Sequence, residues 1–370
     1  MTRVLVTGGA GFIGSHVTER LLEAGYAVRI LDNLSPQIHP NAKRPQYLRR
    51  EAELVVGDIC DRETVEHCLK GVDCVIHLAA SVGVGQSMYQ IVAYTQVNDV
   101  GTAVLLEALA KRPVERLVCA SSMSIYGEGL ASDSSGRPTV PAERRAESLR
   151  HRQWELEDEN GEILTPLPTP ETKQPALSSI YALNKFNQER SCLIAGRAYG
   201  IPTVALRFFN VYGPRQALSN PYTGVLAIFA ARLMNGRPPL VFEDGKQKRD
   251  FVHVRDVARA CVLAMESADC ADEVFNVGSG ESRTVLSIAR DLAEAVGRSE
   301  IVPHVVGKYR AGDIRHCFAD IGKIRLALGF APQVSFASGL AEFARWLPGQ
   351  AAEDGVERAT AELQTRGLVA

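Results

Sequence analysis

The sequence predicts a doubly wound α/β fold, and three observations carry the prediction. Short β-branched runs alternate with amphipathic helical segments from Arg3 to Cys119. The runs are apolar almost throughout, as strands covered on both faces of a parallel sheet must be. A glycine-rich turn, Gly8 to Gly14, separates the first run from the first helical segment.

The elements follow in order. Arg3–Val6 is the first strand, and Phe12–Glu23 is a helix that carries Ile13, Val17, Leu21 and Leu22 on one side. Ala27–Leu31 and Ala52–Val56 are the second and third strands. Asp61–Lys70 is helical, Asp73–His77 is the fourth strand, Val97–Ala110 a helix and Arg116–Cys119 the fifth strand. A helix over Ser179–Tyr199 then leads into a strand over Pro202–Phe208. After Gly213-Pro214, helices near 224–235, 255–267, 284–296, 320–328 and 337–346 are separated by short strands and many Gly and Pro. These shifts predict a sheet domain over 1–212, a smaller α+β lobe over 213–348 and a tail over 349–370 with a helical stretch, Val356–Arg366. Residues 129–177 differ from the rest: they hold 6 of the 18 prolines and 15 charged residues, with few apolar runs. A surface excursion acting as lid or partner surface is expected there, with a passive loop as the alternative.

Composition narrows the function. The 41 Lys and Arg against 43 Asp and Glu leave a net charge of −2, which gives no support to nucleic-acid binding. The longest apolar runs, such as Val225–Ala231, fall far below a membrane span. The N-terminus has no signal-peptide pattern, and the 8 cysteines form no CxxC pair. A cytoplasmic protein with no membrane partner and no metal is expected. His16, His77, His253 and His316 stand far apart without helical pairing, which favours structural roles over ligation.

The turn TGGAGFIGSH follows a strand and opens a helix, the context that a Rossmann-type dinucleotide site requires. Gly8 permits the tight turn, Gly11 lets the backbone approach a pyrophosphate, and Gly14 lets the helix pack on the strand. The helix N-terminus supplies N–H groups and the positive end of a dipole. Asp32 ends the second strand, where an acid accepts from both adenosine ribose hydroxyls and repels a 2′-phosphate. With no Arg at 33 or 34, this favours NAD over NADP. Asp58, in GDIC, is placed to meet the adenine or to cap the next helix.

Tyr181 and Lys185, in YALNK, share one helix face at i and i+4. A tyrosine is too weak a base at neutral pH until a neighbouring ammonium and a nicotinamide cation favour its phenolate. Lys185 would also hydrogen-bond the nicotinamide ribose. At the end of the fifth strand, Ser121, Ser122 and Ser124 offer hydroxyls that could pass a proton between substrate and Tyr181, or could cap the strand end. Ser122 is the first choice and Ser124 the second.

On these motifs the chain resembles the extended short-chain dehydrogenase/reductase superfamily, within its nucleotide-sugar epimerase/dehydratase group. VTGGAGFIGSH, LDNLS, GDICD, VIHLAA, VNDVGT, SSMSIYG, YALNK, RFFNVYGPRQ, RDFVHVRDVA, FNVGSG and GDIRHCFADI carry the resemblance, from Val4 to about Trp346. It implies bound NAD, contacted by Phe12, Ile13, Asn33, Ile59, Leu78, Ala79, Ala80, Asn98 and Phe209. It implies a nucleotide-diphosphate sugar held by Asn210, Val225, Leu240, Phe242, Arg249, Arg310 and Asp313, and a homodimer. Arg249 and Arg310 suit a diphosphate; the alternative for Arg249 is an ion pair with Asp250 or Asp256. Ile180 departs from the group, where a Pro often precedes the tyrosine.

The resemblance implies oxidation at C4 of the sugar to a 4-ketone. The dehydratase pattern has Thr-Asp-Glu where this chain has Ser122, Met123 and Ser124, so an acid and a base for dehydration are missing. A 4-epimerase needs only rotation of the keto sugar and return of the hydride, which regenerates NAD. The stretch from Arg207 to Val254 is most similar to that of 4-epimerases of dTDP-L-rhamnose, which yield dTDP-6-deoxy-L-talose. UDP-glucose or UDP-N-acetylglucosamine 4-epimerisation is the alternative. A 4,6-dehydratase, a dehydrogenase releasing NADH and a non-catalytic NAD-binding protein are further readings.

Overall fold

A computed structural model describes residues 1–222, 224–310 and 312–369. Among the described residues, seven strands form the central sheet: β1 (Arg3–Thr7), β2 (Ala27–Asp32), β3 (Glu53–Val56), β4 (Cys74–His77), β5 (Arg116–Ser122), β6 (Thr203–Phe208) and β7 (Glu273–Val277). Their order is β7-β6-β5-β4-β1-β2-β3, and every pairing is parallel. The order reverses between β1 and β4, so the crevice beyond their C-terminal ends is a topological switch point.

Alternation along each strand makes two cores. Val4, Val6, Ile30, Val118, Val204 and Phe275 face helices Phe12–Glu23 and Val254–Glu266 through Val17, Leu21, Val257 and Cys261. Leu5, Leu31, Val75, Leu117 and Ala205 face the other side, against Val65, Leu105, Leu109, Cys192 and Leu193. Full burial of a side chain of this size contributes about 1.5–3 kcal/mol, so both faces must be covered. Two arginines within the strands are held by backbone: Arg29 donates to the carbonyls of Cys68 and Lys70 and pairs with Glu53 at 2.9 Å, and Arg116 donates to the carbonyl of Cys270. All eight cysteines are free thiols.

The sheet crosses the expected division at 213. Helix Val254–Glu266 and strand β7 lie in the stretch read as lobe, yet they complete the central sheet and its first core. EVFNV is short and locally unremarkable; its parallel register with β6, from Glu273 opposite Val204 to Val277 opposite Phe208, puts it in the sheet. The remaining lobe has its own core, built from Phe229, Leu233, Val241, Ile288, Leu292, Leu340 and Phe343. The tail docks on it through helix Val356–Thr365: Tyr222 donates to Glu362 at 2.7 Å, and Arg232 reaches Asp354 and Glu357.

The excursion over 129–177 has secondary structure of its own. Ala131–Ser132 pairs antiparallel with Pro138–Thr139 and with Thr165–Pro166, over a small core of Ala131, Leu156 and Leu164. Among the described residues, no helix is long and apolar enough to cross a membrane.

Candidate active site

The C-terminal ends of β1, β4 and β5 open onto a cleft of about 580 Å3, which runs from the glycine turn to the lobe. Gly8 adopts φ +70°, and a Cβ there would stand 2.9 Å from the Ala79 nitrogen. A Cβ on Gly14 would stand 2.2 Å from the Gly8 oxygen, so the helix meets the turn backbone to backbone. At Gly11 the nearest neighbour of a Cβ is that same oxygen at 3.4 Å, and the position borders the open cleft. No side chain caps helix Phe12–Glu23, and no acid stands in its first turn. Its leading N–H groups are therefore available to an anion.

Asp32 braces this turn, accepting from the Ala10 N–H at 3.0 Å and the Leu34 N–H at 2.9 Å. Asn33, Ile59, Leu78, Ala79, Ala80 and Phe209 border the cleft with it. Asp58 and Asn98 do not; each stands one step behind. Asp58 accepts from the Cys60 N–H and the Asn33 amide. Partial burial opposes its ionisation, but these two donors outweigh it and hold its pKa below the usual value. The helix cap considered for Asp58 is made by Asp61, which accepts from the Glu63 N–H. Asn98 is buried and closes a two-way bond with the Ser81 backbone, fixing the segment that follows Ala80.

The catalytic group gathers on β5 and helix Ile180–Tyr199. Ser179 caps that helix in an extended conformation, accepting from the Ala182 N–H, so the helix starts at Ile180 without a proline. The Tyr181 N–H donates to Ser87 Oγ at 3.0 Å. Ser124 Oγ donates to Ser122 Oγ at 2.9 Å, and Ser122, Ser124, Tyr181 and Lys185 all border the cleft. Ser121 borders the cleft as well, but its hydroxyl donates to buried Glu189, which also holds Arg207.

Burial governs the electrostatics of the Tyr181–Lys185 pair. Burial pushes the Tyr181 phenol up to about 12, and the Ser122 hydroxyl only partly offsets this. Burial brings Lys185 down to about 8, and its ammonium donates to Gln188 Oε1 at 2.7 Å. The lysine therefore leans along its own helix, and desolvation dominates both groups. Gln188, three residues after Lys185, was legible from helical spacing; Ser87, from another segment, was not.

The expected substrate residues fall in two places. Ser122, Asn210 and Val225 border the cleft, and Asn210 Oδ1 is buried there without a partner. Leu240, Phe242, Arg249, Arg310 and Asp313 do not border it. The Arg310 guanidinium lies 4.6 Å from the centre of the Phe242 ring, and its Nε donates to Asp313 at 2.8 Å. Arg249 donates to the carbonyls of Lys248, Ile314 and Arg315. It pairs with neither aspartate considered for it: Asp250 accepts from Ser279, Gly280 and Ala319, and Asp256 from Gln333, Val334 and Arg259.

The four histidines have separate partners. His16 meets the Pro214 carbonyl, His77 lies between Thr7 and Thr102, His253 caps helix Val254–Glu266, and His316 meets Glu155. Among the described residues, no three His, Cys, Asp or Glu side chains cluster to hold a metal.

The sequence matches the NAD dependent epimerase/dehydratase family over residues 4–149 and 161–278. The chain belongs to this family. It is 37% identical to a dTDP-L-rhamnose 4-epimerase of Burkholderia thailandensis, over 93% of this chain and 94% of that protein. A UDP-glucose 4-epimerase from Thermotoga maritima, solved with UDP-glucose, is 34% identical and superposes with a TM-score of 0.77, covering 93% of this chain and 98% of that one. The Thermus thermophilus UDP-glucose 4-epimerase, solved with NAD, is 34% identical with a TM-score of 0.74, covering 95% and 100%. A dTDP-glucose 4,6-dehydratase of Streptomyces niveus is 30% identical over 93% of this chain and 92% of that protein. The protein is thus an NAD-dependent enzyme of the nucleotide-sugar epimerase kind, and the uncapped helix, open Gly11 and Asp32 suit that cofactor.

Proposed function

We propose that this enzyme interconverts dTDP-L-rhamnose and dTDP-6-deoxy-L-talose by inverting C4. The observation that carries a 4-epimerase over a dehydratase is the scarcity of acids. Among the described residues bordering the cleft, the one carboxylate is Asp32, at the glycine turn; the reacting end presents Ser122, Met123, Ser124, Tyr181 and Lys185. Loss of water across C5 and C6 needs an acid and a base, whereas inversion at C4 needs one group that takes a proton and returns it. The rhamnose substrate is supported by the 37% identical relative. The UDP-glucose bound in a solved neighbour supports the second reading, a UDP-hexose 4-epimerase.

NAD, when bound, supplies a reversible acceptor for the hydrogen on C4, so the sugar passes through a 4-ketone. Tyr181 takes the 4-hydroxyl proton and gives it back, directly or through Ser122. Ser124 orients Ser122 by the bond between their hydroxyls. Lys185 supplies positive charge that favours the phenolate and holds the nicotinamide ribose. Asn210 and Val225 position the sugar; Arg249 and Arg310 hold the diphosphate, Asp313 the nucleoside ribose, and Leu240 and Phe242 the base. Binding must then open the Arg310–Asp313 pair. A homodimer is supported by exposed Val92, Leu183 and Ile194 on helices Ile91–Thr95 and Ile180–Tyr199. A cytoplasmic location accords with eight unpaired thiols.

The test is a panel of dTDP-, UDP- and GDP-sugars with products identified by NMR. The proposal expects C4-inverted product from dTDP-L-rhamnose with no net change in NAD. Stoichiometric NADH, or a product that has lost water, overturns it.

A further inference from the structure

We propose that the excursion is a positioning element for nucleotide binding, acting through Arg144 on the loop to which the described residues 307–310 and 312–316 belong. The inference rests on the reading that Arg310 and Asp313 of that loop hold the nucleotide. Three residues of the excursion grip the loop. At its start, Trp154 packs by Tyr309, with ring centres 6.4 Å apart. In its middle, the Arg144 Nη2 donates to the Asp313 carbonyl at 2.7 Å. At its end, Glu155 accepts from the Arg315 guanidinium and meets His316 Nε2 at 2.8 Å.

The polar contacts belong to one network centred on the buried side chains of Arg144, Glu243 and Arg315. Arg144 pairs with Glu128 at 3.2 Å and with Glu243 at 2.8 Å. Arg315, with no exposed side-chain surface, pairs with Glu155, Glu243 and Asp244. Glu128 also accepts from the Arg315 and His316 N–H groups. Such pairs hold geometry because breaking one strands a buried charge. The far side of the loop is held by the nucleotide-side residue itself, since Arg249 donates to the Ile314 and Arg315 carbonyls. The carbonyl of Asp313 is thus fixed by the excursion while its carboxylate pairs with Arg310.

Arg144 is a positioning residue: it touches no residue assigned to the chemistry at C4 and holds the backbone of one assigned to the nucleotide. Its loss should raise KM while leaving kcat nearly unchanged. The experiment measures binding of dTDP alone to the NAD-loaded enzyme by calorimetry, for Arg144→Ala, Arg144→Lys and Arg310→Ala, alongside KM, kcat and Tm. The expected result is dTDP binding at least about tenfold weaker in Arg144→Ala and Arg310→Ala, partly restored in Arg144→Lys, with NAD retained. Weak binding in Arg310→Ala but unchanged binding in Arg144→Ala overturns the positioning role and leaves the nucleotide site standing. Unchanged binding in Arg310→Ala overturns the nucleotide site and this role with it. Should Arg144→Ala not fold, Glu155→Gln keeps the shape, weakens the same grip and is read by the same criteria.

Discussion

Replacing Gly14 with Ala tests the phosphate-binding turn most sharply, because the structure sets the size of the effect. The new Cβ would stand 2.2 Å from the Gly8 oxygen and 2.6 Å from the Gly9 Cα, both backbone atoms that cannot swing aside. Carbon–oxygen contacts settle at about 3.3 Å, so helix and turn must part by about 1 Å. Overpacking of this kind costs about 1–3 kcal/mol, against which Ala regains about 1 kcal/mol of helix propensity. The net loss of up to about 2 kcal/mol lowers Tm by a few degrees. The cofactor effect is larger, because the leading N–H groups of the helix move with it. NAD is assayed by chromatography of the nucleotide released on heating the purified protein. Gly11→Ala is the control, since its Cβ meets protein only at 3.4 Å and projects beside the cleft. It should cost NAD with little change in the Tm of the NAD-free protein. A Gly14→Ala enzyme with wild-type NAD content and Tm refutes the reasoning.

Two further predictions concern the catalytic pair. Tyr181→Phe should lower kcat about 10²–10⁴-fold while NAD stays bound; full activity would remove the tyrosine as the proton carrier. Lys185, held near 8 by burial against an ordinary 10.5, binds fewer protons folded than unfolded between those values. Stability contributed by this group is therefore lowest below pH 8 and rises as pH increases toward about 10.5. Urea unfolding at pH 7.5 and 9.5 should show wild type gaining on Lys185→Met as pH rises; a constant difference rejects the shifted lysine.

Most of what lies close in sequence was legible. The glycine turn, Asp32 and the Tyr181–Lys185 pair are set by spacing within one turn or one helix, where local geometry repeats. What failed was long-range. β7 is a five-residue run whose place depends on a crossover from the lobe. The lowered pKa of Lys185 comes from burial by the whole fold, and composition says nothing of desolvation. The pairing of the Asn98 amide with the Ser81 backbone, 17 positions away, was equally hidden. The excursion read as a lid or partner surface, or a passive loop; Arg144 and Glu155 are paired with residues 99 and 160 positions away, and no local pattern announces such a partner.

The late strand β7 has a consequence for how the chain is made. A ribosome releases β6 before the lobe begins, yet β6 has one bare edge until Val277 has been synthesised. An unpaired strand edge in a growing chain invites association with other chains. Strands β1 to β6 must therefore wait, partly assembled, while roughly seventy more residues emerge. A stop codon or protease cut near 213 would leave an adhesive fragment in place of a smaller working enzyme.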